Sequence, residues 1–408
     1  MLTAQQQELL TRIGPDTPMG DLFRRYWMPV LPSCDLEAGS VKRVRILGED
    51  LVVFRDRTGT LGALEEHCPH RGTSLGYGCV EEEGIRCPYH GWKFNAYGDC
   101  LDMPVESQNI RLQKTVSARS YPVEDLGGLV FLYLGPKPVP LLPKFDVYVW
   151  EDVLRDIGYA LLPCNWLQIM ENSVDPHHVE WLHGHHLAHV RAKHGLTTPT
   201  FYRKRQIKID FEVFKFGIIK RRILEGGSET DDDWSIGHPL IFPNMLRVGS
   251  HRQHRMQIRV PVDDTHTLHF WYSCYRPAQG TPIPQQTSIP SYQVPWQDDK
   301  GQFILDFVDG GDIMSWVTQG PIADRTRETL VSSDQGIALY RRLLLEQMKK
   351  IQDGQDPLGV IRNNQENEII ELPQENEKFG QGAPFLAESM EMGHARYSPI
   401  KDLVQQLL

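Results

Sequence analysis

The 408-residue chain is short of the features that would place it in several common classes. Its seven cysteines, Cys34, Cys68, Cys79, Cys87, Cys100, Cys164 and Cys274, are odd in number and lack paired spacing, which argues against a disulfide framework. No apolar run reaches the roughly eighteen residues that a membrane-spanning helix needs. Met1-Leu-Thr-Ala-Gln-Gln-Gln has neither the basic start nor the apolar stretch of a secretory leader, so a cytoplasmic protein is expected. The formal charge is −10 and no basic block occurs, which speaks against nucleic acid as a partner. No internal repeat is visible. The length is enough for two cores.

What the chain does have is concentrated between His67 and Met103. Cys68 and His70 form a C-x-H pair, and Cys87 and His90 form a C-x-x-H pair sixteen residues further on. Two thiolates and two imidazoles in two short loops suit a Cys₂His₂ zinc site or a Rieske [2Fe–2S] cluster. The order of the ligands favours the cluster. Common zinc fingers group Cys with Cys and His with His, whereas here each loop supplies one of each, as two irons shared between two loops require. Gly72, Gly76, Gly78 and Gly91 fit loops whose backbone must come close to a cluster.

Pro69-His70-Arg71-Gly72 and Pro88-Tyr89-His90-Gly91-Trp92 complete the pattern. The stretch resembles the Rieske domain of Rieske non-haem iron ring-hydroxylating oxygenases. High-potential respiratory Rieske proteins resemble it too, but they carry two further cysteines that form a disulfide. Thr73 and Tyr89 stand at the matching positions here, so that bond is excluded. The resemblance therefore implies a potential at the low end of the Rieske range, roughly −150 mV, suited to a flavin or iron–sulfur reductase as donor.

A second metal-binding pattern lies in Asn165-Trp-Leu-Gln-Ile-Met-Glu-Asn-Ser-Val-Asp-Pro-His-His-Val-Glu-Trp-Leu-His183. Asp175 and His178 are three apart and share a helix face; His177 would face elsewhere. His183 is five beyond His178, about 140° round a regular helix, and would point away. A helix ending at Gly184 would let it swing back. Two such imidazoles and a distant carboxylate make the facial triad of non-haem Fe(II) oxygenases. Spacing does not choose the carboxylate among Asp306, Asp309, Asp312, Asp324 and Asp334.

The segment is similar to the iron motif of Rieske oxygenase α subunits. Trp316-Val-Thr-x-Gly320-Pro-Ile-Ala-Asp324-Arg325, Ser333-Asp334 and Arg341-Arg342 are similar to the phthalate dioxygenase-like branch. That resemblance implies His178, His183 and Asp334 as iron ligands, and Asp324 as a salt-bridge partner of Arg325 or Arg327. It implies that Asp175 links His178 to His90 of a neighbouring subunit, fixing imidazole tautomers and carrying the electron across. A homotrimer or stacked trimers, without a β-subunit, would follow. The implied activity is that of a terminal oxygenase using O₂ and NADH-derived electrons on an aromatic carboxylate or aryl ether. O-demethylation of a methoxyaryl acid is the alternative. A pure electron carrier would need only about 110 residues.

The expected fold is α+β. The resemblance implies a small all-β Rieske domain over 27–138 and a catalytic domain over 139–408, with an antiparallel sheet flanked by helices in a helix-grip, START-like arrangement. Residues 1–26 would form a helical segment against the latter. Period-two alternation predicts strands at Val44–Ile46, Leu51–Val53 and Leu129–Leu134, then at 207–211, 213–216, 219–223, 256–260 and 268–272. Four prolines in 136–143 read as a linker. Helices are predicted over 3–13, from Thr17 through Tyr26, over 334–352 with an apolar stripe from Ile337 to Ile351, and over 403–408. An aromatic carboxylate calls for a cation; Arg221, Arg222, Arg247, Arg252, Arg255 and Arg259 lie in the region expected to form the pocket. The stretch Ser235–Asn244 departs from phthalate dioxygenases where such an Arg is expected, leaving His238 as a polar candidate.

Overall fold

The computed structural model describes residues 1–106, 108–278 and 280–407. Three small sheets come first. β1 (Met28–Pro32), β10 (Leu129–Leu132) and β9 (Val123–Leu126) form one, with β10 in the middle. β2 (Ser40–Ile46), β3 (Glu49–Arg55) and β4 (Leu61–Glu65) form the second, and β5 (Cys79–Val80), β6 (Ile85–Arg86), β7 (Lys93–Phe94) and β8 (Cys100–Asp102) the third. Successive residues of a strand face opposite sides. In β3 this splits the burial cleanly. Leu51 and Val53 join the large core of the molecule, while Val52 and Phe54 join a smaller one that also contains Cys68 and Cys87.

The second half is built on an eight-stranded sheet ordered β12-β13-β14-β15-β16-β17-β11-β18. Its strands are β11 (Leu154–Leu162), β12 (Gln206–Phe214), β13 (Gly217–Leu224), β14 (His238–Ile241), β15 (Met245–Ser250), β16 (Gln253–Asp263), β17 (His266–Tyr275) and β18 (Ser291–Gln293). All neighbours are antiparallel except β11 and β18. The stretches read as separate strands at 207–211 and 213–216 are one strand, β12, which turns back after Phe214. The alternation in β16 sets up the site: Met256 and Ile258 enter the core, and Arg255, Gln257 and Arg259 face the opposite side, into a cavity.

The helices form where their ends are capped. Thr3 and Gln6 make a reciprocal capping box on Ala4–Thr11. Asn165 caps Trp166–Val174 through Leu167 N–H, and its amide also donates to the carbonyls of Thr11 and Asp264. The helix Gln335–Gln352 buries Tyr340, Leu344, Met348 and Ile351 and stops before Gly354, at φ 73°. A final helix spans Lys401–Leu407; the end of the predicted helix, Leu408, lies outside the described residues. The proline-rich segment is fastened rather than free, since Leu141 N–H donates to Ile361 and Trp27 Nε1 to Pro140.

The helix Trp166–Val174 is anchored by a buried charge network. Glu171 accepts from Arg325 at 2.7 Å and from Arg341 at 2.7 Å, and Arg341 also pairs with Glu328. Burial raises the Glu171 carboxyl, but the two guanidinium groups outweigh it and hold it below the usual range. Arg325 is thus Glu171's partner. Asp324 instead accepts from Thr326 N–H and Oγ1. Removing one member of such a network strands buried charge. Glu171→Ala is expected to destabilise the protein by about 3 kcal/mol or more; thermal unfolding of variant and parent checks this.

Candidate functional site

The two cysteine-bearing loops repeat one backbone pattern. Cys68 N–H donates to Thr73 O and Gly72 N–H returns to Cys68 O; Cys87 N–H donates to Trp92 O and Gly91 N–H returns to Cys87 O. Gly72 and Gly91 sit at φ 71° and 75°, where a side chain is unfavourable. Both thiols are buried, and no disulfide restrains them. Burial, and less strongly the neighbouring Cys87 sulfur, push the Cys68 thiol up, while the backbone N–H of His70 favours the thiolate. His70 and His90 are half-buried, their rings 4.5 Å apart, and His70 stacks on Trp92 at 4.3 Å. Two thiols inward and two imidazoles outward is a donor set that could hold paired irons. Arg86 braces the second loop through Gly91 O and Asp102.

The second donor set depends on a wide helical turn. The helix does not stop at Gly184 as the sequence suggested. Val179–His186 is a π-helix, whose i→i+5 bonding places residues five apart on one side, and Leu187–Ala192 continues it. His178 and His183 therefore face together, with ring centroids 5.0 Å apart. Gly184 has a different role: a Cβ there would lie 2.8 Å from the Tyr202 carbonyl oxygen, so it permits close packing.

The third member is Asp312, on the helix Val308–Val317. Its Oδ1 is 3.4 Å from His183 Nε2 and 3.8 Å from His178 Nε2. Among the described residues, His178, His183 and Asp312 are the set whose ligand atoms lie within 4.8 Å of one another. Asp334 is not with them, which corrects the expectation drawn from resemblance. Its Oδ2 accepts from Val331 N–H at 2.7 Å at the start of the helix Gln335–Gln352, a helix-end carboxylate. A signal for Asp312 was present: Asp309 and Asp312 are the charges in the otherwise apolar Phe307–Val317, and buried carboxylates need partners. Asp309 has its own, Trp271 Nε1 and His394 N–H, each at 2.7 Å.

The electrostatics suit a cation. Burial pushes the Asp312 carboxyl up to about 7, against the pull of His178 and Arg259. Burial, then His178, hold His183 far below the ordinary imidazole value, so its ring is neutral, the form that can bind a metal. A metal ion among the three would keep the carboxylate ionised. Asp175 lies on the other side of His178. It accepts firmly from the backbone N–H of His177 at 2.8 Å and of His178 at 3.1 Å, and its Oδ2 lies 3.5 Å from His178 Nδ1. Burial raises this carboxyl, but His178 and the His177 N–H outweigh it and hold it low. The Nε2 of His178 thus faces Asp312 while its Nδ1 faces Asp175.

A cavity with about 750 Å³ of empty space opens beside the three residues. Leu246, Val248, Val308, Trp316, Phe379 and Phe385 give it apolar walls. Of the six arginines singled out in the sequence, Arg222, Arg255 and Arg259 line it. Arg221 turns outward to Glu212, and Arg247 pairs with Asp146 elsewhere. Sequence reasoning missed Lys220 and Lys378, both buried in the wall. The polar candidate His238 also lines the cavity, its Nδ1 3.1 Å from Lys378 Nζ.

Residues 26–122 match the Rieske [2Fe-2S] domain, and residues 297–372 match the family described as LigXa C-terminal domain like. The chain is 41% identical over 377 residues to the 5,5'-dehydrodivanillate O-demethylase oxygenase subunit of Sphingobium sp., covering 91% of this chain and 87% of that one. The chain is a Rieske oxygenase subunit. This Rieske oxygenase is also 33% identical to the phthalate 4,5-dioxygenase oxygenase subunit of Pseudomonas putida, over 88% of its own length and 89% of the relative's, and it belongs to that phthalate dioxygenase-like branch. Its fold matches the terminal oxygenase of carbazole 1,9a-dioxygenase from Novosphingobium sp. KA1, with a TM-score of 0.58 at 21% identity over 84% of this chain and 97% of that one. Among the described residues no helix is long and apolar enough to cross a membrane.

The geometry separates Asp312 from Asp334 by experiment. Asp312→Ala is expected to lose the mononuclear iron and keep the cluster, while Asp334→Ala keeps about three irons per chain. Iron analysis alongside the visible spectrum of the cluster checks both.

Proposed function

We propose that this subunit oxygenates an aromatic carboxylate, with Cys68, His70, Cys87 and His90 holding a [2Fe–2S] cluster and His178, His183 and Asp312 holding Fe(II). Residues 27–138 would carry the first centre and 139–408 the second. When bound, the cluster supplies single electrons and the Fe(II) supplies open positions for O₂. NADH would be the ultimate donor, through a separate flavin or iron–sulfur reductase. The protein's residues do the rest. Trp316, Phe379 and Phe385 exclude water and face an aromatic ring; Asp175 fixes the His178 ring; the buried cations hold the substrate's charge.

The observation that carries this reading is the excess of buried cations lining the cavity: Lys220, Arg222, Arg255, Arg259 and Lys378 against the carboxylates of Asp309 and Asp312. Arg222 pairs with Asp233 at 2.6 Å and Lys378 with Glu375 at 2.7 Å. Among the described residues, Lys220, Arg255 and Arg259 have no ion-pair partner, and their bonds go to Ser173 O, Ser389 Oγ and Gln257. Burial, then Arg222, pull the Lys220 ammonium down to about 7, and burial pulls Arg259 down to about 9. An anionic ligand would relieve both. The resemblance to an O-demethylase supports a second reading, removal of a methyl group from a methoxyaryl acid. A panel of aromatic acids and their methyl ethers, turned over with a surrogate reductase, tests both: formaldehyde release marks demethylation, and failure of every acid overturns the substrate class.

The route between centres is proposed to cross a subunit boundary, from the cluster His90 of one protomer through Asp175 to His178 of the next, in a homotrimer or stacked trimers. Asp175→Asn is expected to retain both metals and lower NADH-driven turnover about 100-fold or more. Normal turnover in that variant would remove Asp175 from the route.

A further inference from the structure

Among the described residues, three cations of the cavity lack an ion-pair partner, and they are not equivalent. Both terminal nitrogens of Arg259 already donate to Gln257 on the same strand, and its field reaches Asp312. The Lys220 ammonium is taken up by Ser173 O at 2.6 Å, on the helix that leads to Asp175. Arg255 differs. Its guanidinium is buried and lines the cavity, and Nη2 donates to Ser389 Oγ at 2.6 Å. Its Nε is buried with no partner, and Nη1 makes no hydrogen bond among the described residues.

Two carboxylates lie in its neighbourhood, and both are occupied. Asp309 accepts from Trp271 and His394, and Asp156 from Ser398 and Tyr275. Neither comes within 4.0 Å of Arg255, so each balances its charge only at a distance. An arginine fork with an unbonded terminal nitrogen, beside apolar walls and held by a serine of the same cavity wall, is matched in shape and charge to a carboxylate.

We propose that Arg255, positioned by Ser389 of the helix Ala383–Met392, binds the carboxylate of the aromatic substrate and so selects acids over neutral aromatics. The proposal rests on the aromatic-acid reading above. It places the acid-recognising cation on β16, away from the Ser235–Asn244 stretch where the sequence departs from phthalate dioxygenases. Ser389 is a positioning residue: its hydroxyl accepts from Nη2 and holds the fork in one orientation at the cavity wall.

The test uses the holoenzyme with 3-methoxybenzoate and its neutral carboxamide, 3-methoxybenzamide, and measures binding and KM for each. The parent enzyme is expected to bind the acid more tightly than the amide. Arg255→Gln should weaken acid binding about tenfold or more and leave the amide unchanged. Arg255→Lys should recover part of the loss, because the charge returns without the fork. Ser389→Ala should raise KM for the acid with little change in kcat. Iron and cluster content report folding in each variant. Equal losses on acid and amide, or no loss on either, overturn the role of Arg255. A folding failure of Arg255→Gln leaves Arg255→Lys and Ser389→Ala to decide by the same acid-to-amide ratio. A parent enzyme that does not prefer the acid overturns the aromatic-acid reading itself, and the proposal with it.

Discussion

The wide turn at Val179–His186 is the constraint on which the second centre depends. In a regular helix His178 and His183 diverge by about 140°. The i→i+5 bonding brings both rings over Asp312 and leaves His178 free to contact Asp175 with its other nitrogen. Such a turn is held by its surroundings. Gly184 allows the Tyr202 backbone to close against it, and the preceding helix is fixed by Asn165 at one end and by Glu171 between two arginines at the other. Packing thus contributes to the placement of the two imidazoles.

The same logic of local geometry explains how the two halves meet. β3 sends Leu51 and Val53 into the large core and Val52 and Phe54 into the smaller core beneath the cysteine loops. A strand buried on both faces couples the sheet carrying the first donor set to the body carrying the second. β16 does a comparable thing within the second half: its apolar residues build the core, and Arg255, Gln257 and Arg259 build the cavity. Buried cations on such a strand are costly unless something answers their charge, which ties the chemistry of the ligand to the fold.

Much of this was legible in the sequence because the signals were local. Cys68, His70, Cys87 and His90 are fixed by spacing within two short loops, and Asp175 and His178 by a three-residue interval. The strand at 256–260 and the helix at 335–352 were marked by their periodicity. The rest depended on contacts between distant segments. No spacing rule relates Asp312 to His183, so family likeness pointed to Asp334, whose carboxylate instead ends a helix. The helix end expected at Gly184 was a reasonable inference from glycine's usual place, but here the glycine serves packing with Tyr202. Lys220 and Lys378 carry no local signal that marks them as buried in the cavity wall.

The proposed assignment puts one iron among His178, His183 and Asp312 and a pair between the two cysteine loops. Anomalous diffraction from crystals of the iron-loaded protein, collected at the iron edge, tests it directly. The expected result is one peak bounded by the Nε2 atoms of His178 and His183 and the Asp312 carboxylate, and a second, doubled peak between Cys68, Cys87, His70 and His90. A peak beside Asp334, or a single zinc-edge peak between the loops, would contradict it.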